Sequence, residues 1–207
     1  MNENLTEIVA ILDKSGSMQS LTNDTIGGFN SFLEEQKEIP GDAILTTVLF
    51  SDTYTLLHDR LNIKDVKPMT GNDYKAGGNT ALLDAMGKTI NGIGLKLYNT
   101  LEEERPGKVI FFIITDGAEN ASTEFTHEKI EAMVELQQNT YSWEFIFLGA
   151  NIDAFSVGDS IGIAKHRFNF TADSEGIRYA HRLASEAVAY ERMPPKQTPT
   201  TPPISAN

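Results

Sequence analysis

Two apolar runs that each lead to an aspartate constrain the fold of this chain most strongly. Residues 8–12 run directly into Asp13, and residues 109–114 are followed by Thr115 and Asp116. Runs of this length, rich in β-branched side chains, are typical of strands buried on both faces of a parallel sheet. Ligands of open α/β sheets bind beyond the carboxyl ends of such strands. Both aspartates are therefore expected at a binding site.

Hydrophobic periodicity along the rest of the chain alternates between strand and helix patterns. This alternation predicts an α/β fold with a doubly wound, mostly parallel six-stranded sheet flanked by helices. A short turn at Ser51 and Asp52 predicts that the third strand is an antiparallel edge strand. The connection over residues 58–79 has no clear periodicity, and its length favours a functional role. The predicted strands cover residues 8–12, 43–50, 53–57, 108–115, 141–148 and 165–170, and the helical patterns cover residues 21–37, 82–101, 130–136, 153–161 and 177–188.

The length of 207 residues allows one α/β domain with a sizeable core, and we expect it to cover residues 1–192. Residues 193–207 are predicted to be a disordered tail rich in Pro and Thr, because closely spaced prolines prevent a helix or a central strand. The prolines of this tail are Pro194, Pro195, Pro199, Pro202 and Pro203.

Composition excludes several classes of function. With 17 basic and 29 acidic side chains, the net charge of −12 argues against nucleic acid and anionic membrane as partners. The sequence contains no cysteine, which excludes disulfides and thiolate metal sites. No apolar stretch is long enough to span a bilayer, and the first strand begins close to Met1 without an apolar leader. These features predict a cytoplasmic location.

Oxygen-bearing side chains cluster around the two strand ends. Asp13, Ser15 and Ser17 place one carboxylate and two hydroxyls on alternate positions of a loop, where they can converge on one point. Thr80 follows a glycine pair at the start of a helical pattern, and Asp116 ends the second apolar run. Taken singly, each fits an N-cap or a turn residue. Taken together, they form the all-oxygen set that a small hard cation such as Mg²⁺ prefers.

Other polar residues near these positions leave their roles open. Glu119 and Asn120 are expected either beside the metal or in the turn that starts the next helix. Asp52 is expected either to orient a water on the metal or to serve the hairpin turn. Asp84 is expected as a solvated or helix-start carboxylate. The four histidines show no ligand spacing and are expected to be surface or structural residues: His58, His127, His166 and His181.

The three motifs in order resemble the von Willebrand factor A (VWA) family. The metal-ion-dependent adhesion site (MIDAS) of that family reads D-x-S-x-S, then T, then D, and the matching residues are Asp13, Ser15, Ser17, Thr80 and Asp116. The segments at 50–52, 74–85 and 115–120 are similar to the intracellular bacterial branch of the family. The resemblance implies a Rossmann-like VWA fold in which the first and fourth strands are neighbours.

The resemblance also implies a function. These five residues would hold a divalent cation, with Mg²⁺ expected and Mn²⁺ or Ca²⁺ as alternatives. In the family, the two serines and often Thr80 bind the ion directly, while the two aspartates act partly through water. An Asp or Glu carboxylate of a protein partner then completes the coordination. The chain is therefore expected to be a metal-dependent protein-binding module for adhesion or scaffolding, and not an enzyme.

The alternative is a Mg²⁺-dependent phosphotransfer enzyme similar to the haloacid dehalogenase-like phosphatases, with Asp13 as the nucleophile. That class requires a second aspartate two positions on, where this chain has Ser15. A serine hydrolase is disfavoured because the G-x-S-x-G pattern is missing. The hydroxyl at position 15 favours metal-dependent binding over catalysis.

Overall fold

A computed structural model describes residues 1–193 and contains a six-stranded sheet in the order β3-β2-β1-β4-β5-β6. All neighbouring strands are parallel except β2 and β3, which are antiparallel, so β3 is the predicted antiparallel edge strand. The strands are β1 (Asn2–Asp13), β2 (Asp42–Phe50), β3 (Tyr54–Asn62), β4 (Pro106–Thr115), β5 (Glu144–Ala150) and β6 (Arg167–Phe170). The helices are α1 (Thr22–Glu38), α2 (Leu82–Tyr98), α3 (His127–Tyr141), α4 (Ala154–Ser160) and α5 (Ser174–Arg192).

Helices cover both faces of the sheet, as the alternation of strands and helices predicts. Successive side chains of a strand point to opposite faces. In β1, Ile8 and Leu12 pack in the core beneath α1 and α5, whereas Val9 and Ile11 pack in the core beneath α2 and α3. These four side chains are buried. The near-continuous apolar run of β1 therefore serves two cores at once, which confirms the predicted doubly wound sheet.

The first and fourth strands lie side by side and end at the same edge of the sheet. Leu12 of β1 pairs with Ile114 of β4, and Asp13 lies opposite Phe50 of β2 on the other side. The sheet is built outward in both directions from this pair, so β1 and β4 form its topological switch point. A crevice forms at the carboxyl ends of the strands at such a point.

Several element boundaries differ from those predicted. β3 continues to Asn62 rather than ending at residue 57, and register shifts in its pairing with β2 lie near Thr47. α3 extends through Tyr141, so β5 begins at Glu144 rather than at residue 141. α2 ends at Tyr98 rather than near residue 101. The predicted tail over residues 193–207 lies, except for Met193, outside the described residues.

No helix within residues 1–193 combines the length and apolar character needed to cross a membrane.

Candidate metal centre

Asp13 is the last residue of β1, and its side chain is buried at the switch point. Its Oδ1 accepts a hydrogen bond from the backbone N–H of Ser15 at 2.7 Å. Its Oδ2 accepts one from the hydroxyl of Thr115 at 2.5 Å. Because both oxygens are held by donors from different segments, the carboxylate has a fixed orientation toward the loop that follows β1.

The other predicted ligands lie beside it. The hydroxyls of Ser15 and Ser17 are 3.1 Å apart, and Ser17 donates a hydrogen bond to Oδ1 of Asp116 at 2.6 Å. A Cβ atom added at Gly117 would lie 3.2 Å from Oγ1 of Thr80 and 3.8 Å from Oγ of Ser17. The Thr80 hydroxyl therefore borders the turn that carries Asp116, which places it close to the other four side chains.

Backbone hydrogen bonds tie the segment before α2 to the loop after β1. The N–H of Gly16 donates to the carbonyl oxygen of Gly78 at 2.9 Å, and the N–H of Gly77 donates to that of Lys14 at 2.8 Å. Gly78 has φ +82, and a Cβ there would lie 2.2 Å from Oδ1 of Asp52. Both the left-handed backbone and the close carboxylate require glycine at position 78. The Asp52 side chain thus packs against this segment.

The sequence assigns no role to Tyr74, although this residue begins one of the segments that resemble the VWA family. Its side chain is buried, and its hydroxyl donates a hydrogen bond of 2.5 Å to the carbonyl oxygen of Asp13. Burial raises the pKa of the Tyr74 hydroxyl, so the phenol remains a donor. A single tyrosine in an irregular connection carries no periodic signal. Its role becomes visible only when residues 66–81 fold back over the end of β1.

Three acidic or amide side chains that the sequence placed near the site hold its backbone. Asn120 accepts a hydrogen bond from the N–H of Thr80 at 2.9 Å, and Glu119 accepts one from the N–H of Leu83 at 3.0 Å. Asp84 is buried rather than solvated. Backbone N–H groups of residues 123–125 donate to its carboxylate and lower its pKa, against the effect of burial. Of the two roles left open, the turn matches Glu119, which also accepts hydrogen bonds from the N–H groups of Ala121 and Ser122. Asn120 instead holds the backbone of a predicted metal ligand.

The electrostatics of the cluster favour a cation. Burial raises the pKa of both Asp13 and Asp116, although hydrogen bonds from Thr115, Ser15 and Ser17 oppose this effect. The ammonium group of nearby Lys14 bonds instead to the hydroxyls of Ser51 and Thr53, at 3.3 and 2.9 Å. Within residues 1–193, no ion pair reaches either aspartate. Two close carboxylates with three hydroxyls and no cationic side chain fit a hard divalent ion.

The histidines lie away from this centre. His58 is hydrogen-bonded to Thr47, His127 begins α3, and His181 is buried between α1 and α5. His166 is grouped with Glu144 and Glu191 at the other end of the sheet, away from the carboxyl ends of the strands. Its sequence neighbours gave no sign of that grouping, since the three residues are brought together only by the fold.

Comparison of the sequence with known proteins is uninformative: no model of a protein family matches this chain, and no curated protein matches it significantly.

Solved structures do match the fold. The von Willebrand factor domain of the type V pili tip protein Mfa5 from Porphyromonas gingivalis aligns with 91% of this chain and 96% of its own, at 9% identity and a TM-score of 0.62. Proximal thread matrix protein 1 from the mussel byssus aligns with 91% of this chain and 47% of its own, at 13% identity and a TM-score of 0.59. The ArnB paralog VWA2 from Sulfolobus acidocaldarius aligns with 84% and 43%, at 20% identity and a TM-score of 0.53.

These likenesses show that the chain has the Rossmann-like fold of VWA domains. The chain spans about half the length of the mussel protein and of VWA2. A further structure of the mussel protein, aligned with 89% of this chain at 14% identity and a TM-score of 0.58, has zinc in its MIDAS motif.

Proposed function

We propose that this chain is a metal-dependent protein-binding module whose MIDAS consists of Asp13, Ser15, Ser17, Thr80 and Asp116. The observation that carries the proposal is the convergence of these five side chains around two aspartates that lack a cationic partner within the described residues. Oxygen ligands of this kind suit Mg²⁺ first, and Mn²⁺ or Ca²⁺ as alternatives. A zinc-occupied MIDAS in a protein of the same fold supports a divalent ion at this position.

A bound divalent cation would supply a coordination position for a carboxylate of the partner. The chain's own residues orient that position. Thr115 and the Ser15 N–H fix the carboxylate of Asp13, and Asn120 fixes the backbone at Thr80. Three of the five side chains are neutral hydroxyls, which leave positive charge on the ion for an acidic partner residue. We therefore propose an Asp or Glu side chain of a protein as the captured group.

The same contacts support binding rather than catalysis. Asp13 has a relative exposure of 0%, and both of its oxygens already accept hydrogen bonds. A phosphotransfer nucleophile must be reached directly by the phosphorus atom of the substrate, whereas Asp13 can act on a bound metal ion through water. Ser15 also provides no carboxylic acid for general acid catalysis.

The segments at 50–52, 74–85 and 115–120 support a place in the intracellular bacterial branch of the family, and with it a cytoplasmic location.

Metal-dependent stabilisation tests the proposal. We expect the melting temperature of the chelated protein to rise with added Mg²⁺ or Mn²⁺, because a ligand that binds only the folded state stabilises it. Asp116→Ala should abolish this rise, whereas Asp42→Ala should retain it, since Asp42 is exposed at the opposite end of the sheet. The absence of any rise in the parent protein at millimolar metal would refute the metal centre.

Capture of a protein partner provides a second test of the proposed function. Immobilised parent protein should retain a partner in Mg²⁺ and release it on chelation, and the Asp116→Ala variant should retain none. Blocking the acidic side chains of the retained partner as amides should prevent recapture. Retention that is indifferent to chelation would show that the module binds through another surface.

A further inference from the structure

Three metal-ligating side chains meet at the end of the sheet opposite to the candidate metal centre. Glu144 is the first residue of β5, His166 directly precedes β6, and Glu191 lies in the last turn of α5. One ligand atom from each lies within 4.8 Å of the other two. Because β5 is parallel to β1 and a strand rises about 3.3 Å per residue, this cluster lies about 20 Å from the edge that carries Asp13.

The cluster is partly buried, and burial and neighbouring charges shift the pKa values of its side chains. Nε2 of His166 lies 3.7 Å from Oε1 of Glu191, and these side chains are 23% and 21% exposed. Burial raises the pKa of Glu144, and the neighbouring charge of Glu191 raises it further. Burial also lowers the pKa of His166, although Glu191 opposes this effect. The two neighbouring negative charges therefore disfavour each other, and burial disfavours the charged form of the imidazole.

Two lysines nearby only partly offset this negative charge. Lys108 donates hydrogen bonds from its ammonium group to the main-chain carbonyl oxygens of Glu191 and Met193. The positive charges of Lys165 and Lys108 also lower the pKa of Glu144, against the effect of burial. Within residues 1–193, neither lysine forms an ion pair with Glu144 or Glu191. A cation held between the carboxylates would neutralise them directly.

We propose that Glu144, His166 and Glu191 form a second metal site, which takes a transition-metal ion such as Zn²⁺. One imidazole nitrogen with two carboxylate oxygens suits Zn²⁺ and its neighbours in the first transition row, whereas the all-oxygen centre at Asp13 suits Mg²⁺. Three protein ligands leave a fourth position for water or another ligand. Nothing in this proposal depends on the function proposed for the first centre.

The geometry requires only small side-chain movements. Ligand atoms about 2.1 Å from a tetrahedral zinc ion lie about 3.4 Å from one another. The pair formed by His166 and Glu191 is already at 3.7 Å, and the remaining separations are at most 4.8 Å. Small rotations of the partly buried carboxylate groups, which move their oxygens by about 1 Å each, close such gaps without moving the backbone.

A metal at this position would join three elements that are distant in the sequence. It would fasten the C-terminal turn of α5 to the starts of β5 and β6. Because the ligands converge only in the folded chain, the binding free energy of the metal adds to the stability of the fold. We therefore expect Zn²⁺ to stabilise the docking of α5.

Zinc titration of the full chain in an Asp116→Ala background isolates this site from the first centre. We expect one Zn²⁺ per chain in competition with a chromogenic chelator, together with a rise in melting temperature. His166→Gln and, separately, Glu144→Gln should weaken zinc binding by about tenfold or more, because each removes a ligand. Their melting temperatures in excess chelator should remain near that of the parent, which shows that both variants fold.

His127→Gln is the matched control, since His127 is an exposed histidine at the start of α3. It should bind zinc as the parent does. Zinc binding that survives both His166→Gln and Glu144→Gln, or that disappears with His127→Gln, would overturn the second site. Failure of Mg²⁺ to stabilise the unmodified chain would instead count against the first centre alone, so the two proposals fail separately.

Discussion

At the scale of single residues, the hydroxyl of Thr115 controls the carboxylate of Asp13. It donates a 2.5 Å hydrogen bond to Oδ2 and opposes the rise in the pKa of Asp13 that burial causes. Thr115→Val removes this donor while keeping the shape of the side chain. We expect the pKa of Asp13 to rise further and the Mg²⁺ affinity to fall by about 10- to 100-fold, as for other residues that orient a metal ligand. The Mg²⁺ concentration at half-maximal thermal stabilisation measures the change.

Thr89→Val is the control for this prediction. Thr89 is also buried, and its hydroxyl donates a 2.6 Å hydrogen bond to the carbonyl oxygen of Ala85 within α2. Its loss should lower the free energy of unfolding by about 1 kcal/mol without changing the Mg²⁺ midpoint. Equal midpoints for the two variants would show that Thr115 acts only through general stability.

At the scale of elements, α1 and α5 pack closely because Gly28 has no side chain. A Cβ at Gly28 would lie 2.6 Å from Nδ1 and 3.0 Å from Cβ of His181, whereas a Cβ at neighbouring Gly27 would contact nothing within 4 Å. Ala gains about 1 kcal/mol over Gly from helix propensity. Overpacking costs about 1–3 kcal/mol, and the clash reaches the rigid base of the His181 side chain. We expect Gly28→Ala to lower the free energy of unfolding and Gly27→Ala to raise it.

Urea unfolding of both variants provides the comparison. Because the two glycines are adjacent in the same helix, differences in backbone entropy largely cancel between them. A stabilised Gly28→Ala variant would mean that α5 shifts away from α1 at little cost. The close contact would then have no role in fixing the position of α5.

Local pattern predicted most elements of this fold, and the exceptions have physical causes. β1 and β4 could be predicted because both of their faces are apolar. β3 was predicted too short because the side chains beyond residue 57 are mostly polar and mostly exposed, and the strand is held by main-chain pairing to β2. The fully buried Glu7 in β1 gave no signal either. Its partner Arg60, 3.0 Å away, reaches it across the sheet from β3, and only the tertiary fold reveals this pair.

The same distinction applies to the candidate site. The convergence of the five proposed ligands could be predicted because each lies within a few residues of a strand end or helix start, where side chains of an α/β sheet converge. The residues that position them could not. Tyr74 reaches Asp13 from an irregular connection, and Asp84 binds a loop some forty residues later in the chain. Such contacts depend on how loops fold over the sheet, and the hydrophobic periodicity of the sequence carries no information about loop conformation.

At the scale of the whole molecule, the buried His181 makes stability depend on pH. Its Nδ1–H bonds to the carbonyl oxygen of Ile177 at 2.9 Å, and its buried Nε2 has no partner within residues 1–193. Burial lowers the pKa of His181 from 6.5 to about 4. Between these values the unfolded chain binds a proton that the folded chain does not. Stability is therefore lost as the pH falls from 6.5 toward 4, by about 3 kcal/mol in total.

Four buried or partly buried carboxylates act in the opposite direction and would hide this effect in a single pH profile. The pKa values of Glu7, Asp13, Asp116 and Glu144 are all raised by burial. For these groups the folded chain binds more protons than the unfolded chain does, so each contributes stability as the pH falls. Only the difference between two variants that share these carboxylates isolates the histidine.

We therefore expect the free energies of unfolding of His181→Gln and the parent protein to depend differently on pH. Urea unfolding in the presence of a chelator measures both. From about pH 6.5 to pH 4, the free energy of unfolding of the parent should decrease more than that of the variant, each compared with its own value near neutral pH. His127→Gln, which removes an exposed histidine, should follow the parent throughout. Parallel curves for the parent and His181→Gln would mean that the buried ring gains a proton-compatible partner on acidification. The contact between α1 and α5 would then have to open below pH 6.5 without unfolding the domain.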